Sequence, residues 1–161
     1  VTLVLLIAAL LPAQYQVTRS VIIDRPIENV YAVVADYGQR QSWDPWIAKE
    51  PAAEITINAI EGTAGSKYTW NGQEIGSGSM VIEKAVENEL IESHLTFMTP
   101  WESESKIIWK FTPAESGTRT EWIMEGENAY PLGRYMGLMM DDIWGPELEK
   151  GLQNLKELCE N

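Results

Sequence analysis

The sequence predicts an α+β fold: one curved antiparallel sheet of about six to seven strands packed around a long C-terminal helix, with one or two short helices after the first strand. Three observations carry this expectation. From Ala53 to Glu125, apolar residues recur at every second position in one segment after another, separated by short turns. From Leu132 onward the spacing becomes that of a helix. Between the first strand and the period-two region lies a single short helical face. Strands joined by short turns pair antiparallel and bury one face, which a helix must then cover.

The elements follow in order. Tyr15 to Asp24 is rich in Val and Ile and reads as a strand. Pro26 suits the first position of a helix, where its missing N–H would have had no partner. Ile27, Val30, Tyr31 and Val34 then share one helical face, and the helix is expected to stop near Tyr37-Gly38. Gln39 to Trp46 reads as a turn. Ile55 and Ile57, then Tyr68 and Trp70, then Met80 and Ile82 alternate with polar neighbours. So do Ile91, Ser93, Leu95 and Phe97, then Ile107, Trp109 and Phe111, then Thr120, Trp122 and Met124. Gly76-Ser77-Gly78 marks a strand bend. In the tail, Tyr135, Met136, Met139, Met140 and Ile143 form one stripe, continued by Leu148, Leu152, Leu155 and Cys159. Gly145-Pro146 predicts a kink or restart there, because an interior proline loses a hydrogen bond and crowds the preceding turn. Gly151 implies close packing against the sheet or room for a ligand.

The first eleven residues, Val1 to Leu11, carry no charge, and Pro12 ends the run. The run is shorter than the ~20 apolar residues a spanning helix needs. It lacks the basic start of a secretory signal. The reading is therefore residues 1–13 as a truncated membrane anchor or signal remnant, and residues 14–161 as one domain. The domain is expected to be membrane-anchored, with the side of the membrane open and an extracytoplasmic placement favoured.

Composition excludes several functions. With 12 basic and 24 acidic residues among 161, the net charge is -12. That argues against a nucleic-acid partner, which needs clustered Lys and Arg, and against a polybasic grip on lipid. One Cys and one His rule out an internal disulfide and nearly rule out a zinc site of Cys and His ligands. No phosphate-binding or dinucleotide-binding glycine motif occurs, so neither metal nor cofactor is expected. What stands out is seven Trp and six Tyr against only two Phe.

Arg19 to Tyr31 (RSVIIDRPIENVY), Trp43-Asp44-Pro45-Trp46, Gly65 to Trp70 followed by Gly76 to Met80, and Gly145 to Lys156 (GPELEKGLQNLK) occur in an order and spacing that resemble one known group. The chain resembles the START-like, helix-grip superfamily, and within it the polyketide cyclase/dehydrase and lipid-transport family, over roughly residues 15 to 160. The resemblance implies a sheet wrapped on a helix with a cavity between. It also implies a membrane anchor ending in a Leu-Pro step, like Leu11-Pro12. It does not imply one activity, since the fold hosts many.

The candidate ligand-binding residues are Trp43, Trp46, Tyr68, Trp70, Met80, Phe97, Trp109, Trp122, Met136, Met139 and Met140. The aromatic residues of the sheet fall on the predicted inward face, and the three late methionines on the opposing helix. Met adapts to irregular apolar partners. Trp43 and Trp46 are placed at the mouth. Taken singly, each of these residues also fits an ordinary core. His94 is expected to point outward, yet it titrates near neutrality and is the sequence's candidate general base. Cys159 reads as buried and inert, and Asp141-Asp142 as a solvated face. Arg134 and Tyr135 are candidates to supply a polar group to the pocket.

The favoured reading is non-catalytic binding or transport of an apolar small molecule or lipid, with the membrane contacted through the N-terminal segment. The scarcity of His and Cys favours binding over catalysis. Two alternatives stand beside it: an enzyme of cyclase or dehydratase type using the same cavity, and a protein-interaction module with an acidic surface.

Overall fold

The structure is a computed structural model that describes residues 2–60 and 62–161; Val1, at the head of the apolar run, lies outside the described residues. Its strands are β1 (Gln14–Ile23), β2 (Glu54–Asn58), β3 (Lys67–Asn71), β4 (Ser77–Val86), β5 (Leu90–Thr99), β6 (Ser103–Ala114) and β7 (Gly117–Glu127). They form one seven-stranded sheet in the order β1-β7-β6-β5-β4-β3-β2, each pair antiparallel. From β2 to β7 the chain is a meander. β1 then pairs with β7 along its whole length, from Gln14↔Glu127 to Ile23↔Thr118.

This order puts β1 and β2 on opposite edges, so the chain between them must cross one face of the sheet. It does so through three short helices, α2 (Ile27–Ala35), α3 (Tyr37–Arg40) and α4 (Pro45–Lys49), one more than the sequence predicts. The predicted turn at Gln39 to Trp46 is a turn in its middle and helical at both ends, where two aspartates cap α3 and α4. Asp36 accepts the Gly38 N–H at 2.8 Å, and Asp44 accepts the Trp46 N–H at 2.9 Å, with Pro45 opening α4.

The long helix α6 (Met140–Glu160) covers the rest of that face, burying Gly145, Leu148, Gly151, Leu152 and Leu155. Two expectations for the tail are corrected here. The break falls at Leu138-Met139, after the short helix α5 (Leu132–Gly137), and α6 runs through Pro146 without restarting. Arg19 of β1 holds α6 on both sides of the proline. It bonds Asp141 (Nη1 to Oδ1, 2.8 Å) and Glu149 (Nε to Oε1, 2.6 Å), and Gly145 between them leaves room for the guanidinium. Exposed pairs of this kind contribute roughly 0–1 kcal/mol each, less than the ~3 kcal/mol that an interior proline costs. Full burial of a Leu is worth about 1.5–3 kcal/mol, so Leu148, Leu152 and Leu155 together are what keep the helix continuous past the proline. Asp141 is thus not merely solvated: Arg19 holds its carboxyl below the usual carboxylate range.

At Gly151 the helix α6 packs directly on the sheet. A Cβ there would sit 2.6 Å from a ring carbon of Trp122 and 3.1 Å from Cδ of Pro45. Of the two roles the sequence allows for this glycine, close packing is the one realised. Gly151→Ala is expected to destabilise the protein by about 1–3 kcal/mol, since neither the indole nor the proline ring can yield. A denaturant midpoint equal to wild type would contradict this packing.

The N-terminal helix α1 (Thr2–Leu10) exposes Leu3, Val4, Leu5, Leu6, Ile7 and Leu10 and buries Ala8. Side chains after β7 reach its carbonyls and the one just beyond it: Tyr135 donates to Val4 O at 2.6 Å, Tyr130 to Leu5 O at 3.1 Å and Arg134 to Leu11 O, past the helix end, at 2.8 Å. Among the described residues, no helix is long and apolar enough to cross a membrane.

Candidate functional site

An apolar cavity of about 70 Å³ lies between the sheet, α4 and the first half of α6. The sheet supplies Tyr68 and Trp70 of β3, Met80 of β4, Leu95 and Phe97 of β5, Ile107 of β6, and Trp122 and Met124 of β7. Trp46 and Ile47 of α4, Ile75, and Trp144 and Leu148 of α6 complete the wall, with Arg40 and Asp44.

Of the sequence candidates, the cavity gathers Trp46, Tyr68, Trp70, Met80, Phe97 and Trp122. Trp43 and Trp109 are buried beside it. Trp109 stacks on Trp122 with ring centroids 4.4 Å apart, and Trp43 meets both edge-on at 5.7 and 5.8 Å. Met140 packs half-buried against the core without lining the cavity. Met136 and Met139 correct the expectation of an inward methionine stripe, being 54% and 57% exposed. The spacing reads as one continuous helix, but the break at Leu138-Met139 turns the first half of the stripe outward. The inward stripe instead begins at Trp144 and continues at Leu148 and Leu152.

The sequence reading also missed Arg40 and Asp44. Their opposite charges four residues apart were the available signal, hidden by taking the segment for a turn. Both are buried, at 6% and 5% exposure, and Arg40 Nε donates to Asp44 Oδ2 at 2.7 Å. The other oxygen of Asp44 accepts the Trp46 and Ile47 N–H groups at 2.9 and 3.4 Å. The guanidinium carbon lies 5.1, 5.7 and 5.8 Å from the ring centroids of Trp43, Tyr68 and Trp122. Cation–π attraction strengthens when the cation is desolvated, so this aromatic cage offsets part of the cost of burying the charge. Tyr68 Oη and Trp122 Nε1 are buried without a hydrogen-bond partner among the described residues. Burial, reinforced by Asp44 and opposed by Arg40, pushes the Tyr68 phenol up to about 12, so it keeps its proton at neutral pH.

At the mouth, Trp144 stacks on Phe97 at 5.8 Å and leans on Trp46 at the same distance. The β3–β4 connection beside them is fixed by Glu50, which accepts the N–H groups of Gln73, Glu74 and Ile75 at 2.8, 2.9 and 3.1 Å. The Ile75 and Gln73 N–H groups hold the Glu50 carboxyl below its ordinary value. A depressed carboxyl contributes stability that is present above the unfolded-state value and lost as pH falls through the folded one. The amide shifts of Gln73, Glu74 and Ile75 should therefore titrate together in acid, with a midpoint below that of an ordinary glutamate. Glu50→Gln should abolish that titration; a midpoint at or above the ordinary value would contradict the geometry.

The catalytic candidates lie elsewhere. His94 faces the outer side of the sheet, 3.8 Å from Glu104 Oε1. Arg134 and Tyr135 do not reach the pocket but bond the α1 segment. Cys159 is half-buried on α6, and burial pushes its thiol up.

Residues 14–160 match the family model described as "Polyketide cyclase / dehydrase and lipid transport". The chain belongs to that family. Solved structures of this fold share little sequence with this family member. A protein of unknown function from Staphylococcus aureus, SA2116, is 17% identical with a TM-score of 0.67, covering 91% of this chain and 94% of that one. Protein CV1439 from Chromobacterium violaceum is 16% identical, TM-score 0.62, covering 91% and 97%. The di-domain ARO/CYC StfQ from the steffimycin biosynthetic pathway is 10% identical, TM-score 0.67, covering 92% of this chain and 51% of that one. At these identities the likeness establishes the fold. A search of curated proteins finds no match.

Proposed function

We propose that this family member binds an apolar small molecule or lipid in the cavity without transforming it, beside a membrane to which α1 tethers it. The observation that carries the reading is the wall itself: aromatic and aliphatic side chains enclosing a space whose ionisable groups are Arg40, Asp44 and Tyr68. Apolar pockets with few placed polar groups are what small-molecule sites look like. Proton transfer needs a group whose affinity lies near the working pH. Arg40 and Asp44 are bonded to each other, and Tyr68 holds its proton. The His94 and Arg134 candidates lie outside the cavity.

Ligand pockets usually exceed about 300 Å³. Anything larger than a small ring therefore enters by displacing Trp46 and Trp144, which are only half-buried at the mouth. The uncharged, exposed α1 supports the membrane part of the proposal.

The test is a titration with a solvatochromic apolar dye, together with mass spectrometry of lipids extracted from the purified protein. A saturable blue shift, reversed by a competing apolar ligand, is the expected result. Dye emission that stays aqueous at every concentration, with nothing co-purifying, would sink the proposal. For the tether, liposome flotation should carry the protein upward, and Leu5→Glu/Leu6→Glu should leave it at the bottom. Equal flotation of both proteins would remove α1 from the account.

A further inference from the structure

We infer that α1, α5 and the β5–β6 turn form one composite docking surface for a lipid bilayer, which holds the mouth of the cavity toward the membrane. The inference rests on the α1 tether proposed above and adds to it two further surfaces and an orientation.

The sheet register puts these parts at one end of the molecule. β1 begins there beside the end of β7 (Gln14↔Glu127), β6 begins beside the end of β5 (Ser103↔Phe97), and β4 begins beside Thr99 of β5. α1 leads into β1, α5 follows β7, and the β5–β6 turn carries Trp101. The cavity mouth lies at the same end: Trp144 stacks on Phe97, and Ile75 of the wall leads into β4.

α1 is seated rather than loose. Besides the bonds from Tyr130, Arg134 and Tyr135, Asn128 donates its side-chain and backbone N–H groups to Pro12 O and Ala13 O at 3.1 and 2.8 Å. These bonds give α1 and the start of β1 one orientation against the segment after β7, so whatever α1 enters, α5 meets as well.

α5 buries none of its residues. Leu132, Met136, Leu138 and Met139 are each more than half exposed, and Met98 and Trp101 are exposed on the neighbouring turn. Residues 2–13 and 128–140 together hold one charged residue, Arg134, in a chain of net charge -12, and its side chain bonds Leu11 O. A large exposed apolar patch marks an interaction surface. The chemistry of this one favours lipid over protein. It offers no free charge to fix the register of a protein partner, and Trp101 and the exposed Tyr130 are the residue types that settle at headgroup level. Glu102, Glu127 and Asp142 flank the patch and are exposed, which keeps the docking interfacial rather than deeper.

The experiment is flotation of the full chain with phosphatidylcholine vesicles, comparing wild type with Leu132→Glu/Leu138→Glu. This variant leaves α1 and every residue bonded to it untouched. Its affinity for the vesicles should fall about tenfold or more, with an unchanged melting profile, because both side chains are exposed. A second readout uses the wild-type chain alone. In phosphatidylcholine bicelles carrying a nitroxide-labelled lipid, the indole N–H signal of Trp101 should broaden while that of buried Trp109 stays sharp. Undiminished flotation of the variant overturns the inference and leaves the tether standing, as does a sharp Trp101 signal from bicelle-bound protein. A variant that still floats but loses self-association in sedimentation assigns the face to a second copy of the chain, and overturns the inference too. Wild-type protein that fails to float removes the tether itself.

Discussion

Arg40→Leu is expected to destabilise the folded protein by about 3–5 kcal/mol, the usual cost of breaking a buried ion pair from one side. The reason is what remains. Asp44 would stay buried at 5% exposure, keeping its bonds to the Trp46 and Ile47 N–H groups but losing its countercharge. A domain's whole stability is about 5–15 kcal/mol, so this one substitution removes a large share of it. The double variant Arg40→Leu/Asp44→Asn should recover most of the loss. Asn still caps α4, and no charge is left without a partner. Urea unfolding followed by tryptophan emission measures both. A single variant as stable as wild type would mean that the pair is solvated rather than sealed in the core.

Trp122→Ala should cost a comparable amount, about 3–5 kcal/mol, by the cavity it leaves. Trp122 is 1% exposed, stacks on Trp109 at 4.4 Å, and meets Trp43 and Trp46 edge-on at 5.8 and 6.0 Å. Gly151 of α6 rests against its ring, so truncation also removes the surface on which the helix lies. Such aromatic pairs add ~0.5–1.5 kcal/mol each beyond the area they bury. Trp101→Ala serves as the contrast: at 79% exposure it should change stability by less than about 0.5 kcal/mol. Equal melting temperatures for the two variants would contradict the assignment of Trp122 to the centre of the core.

How much of this was legible in the sequence depended on how local each signal was. The strands were readable because alternation is a property of neighbours. Tyr68, Trp70, Phe97 and Trp122 were placed on the inner face by parity alone, and that is where they lie. The methionine stripe failed because its phase was extended across Leu138-Met139, a break that the residue spacing does not mark. A proline that reads as a helix breaker was overridden by burial of Leu148, Leu152 and Leu155 and by Arg19, which lies more than a hundred residues away in sequence. Arg40 escaped notice for the same reason. Its burial is decided by Tyr68 and Trp122, residues that only the folded sheet brings beside it.

The most direct measurement of the central claim is the behaviour of the seven indole N–H signals while an apolar ligand such as acetophenone is titrated in. The account predicts saturable shifts for Trp46, Trp70, Trp122 and Trp144, which line the cavity, and none for Trp101, which stands in solvent. Shifts confined to Trp101, or no saturable shift at any indole, would contradict it.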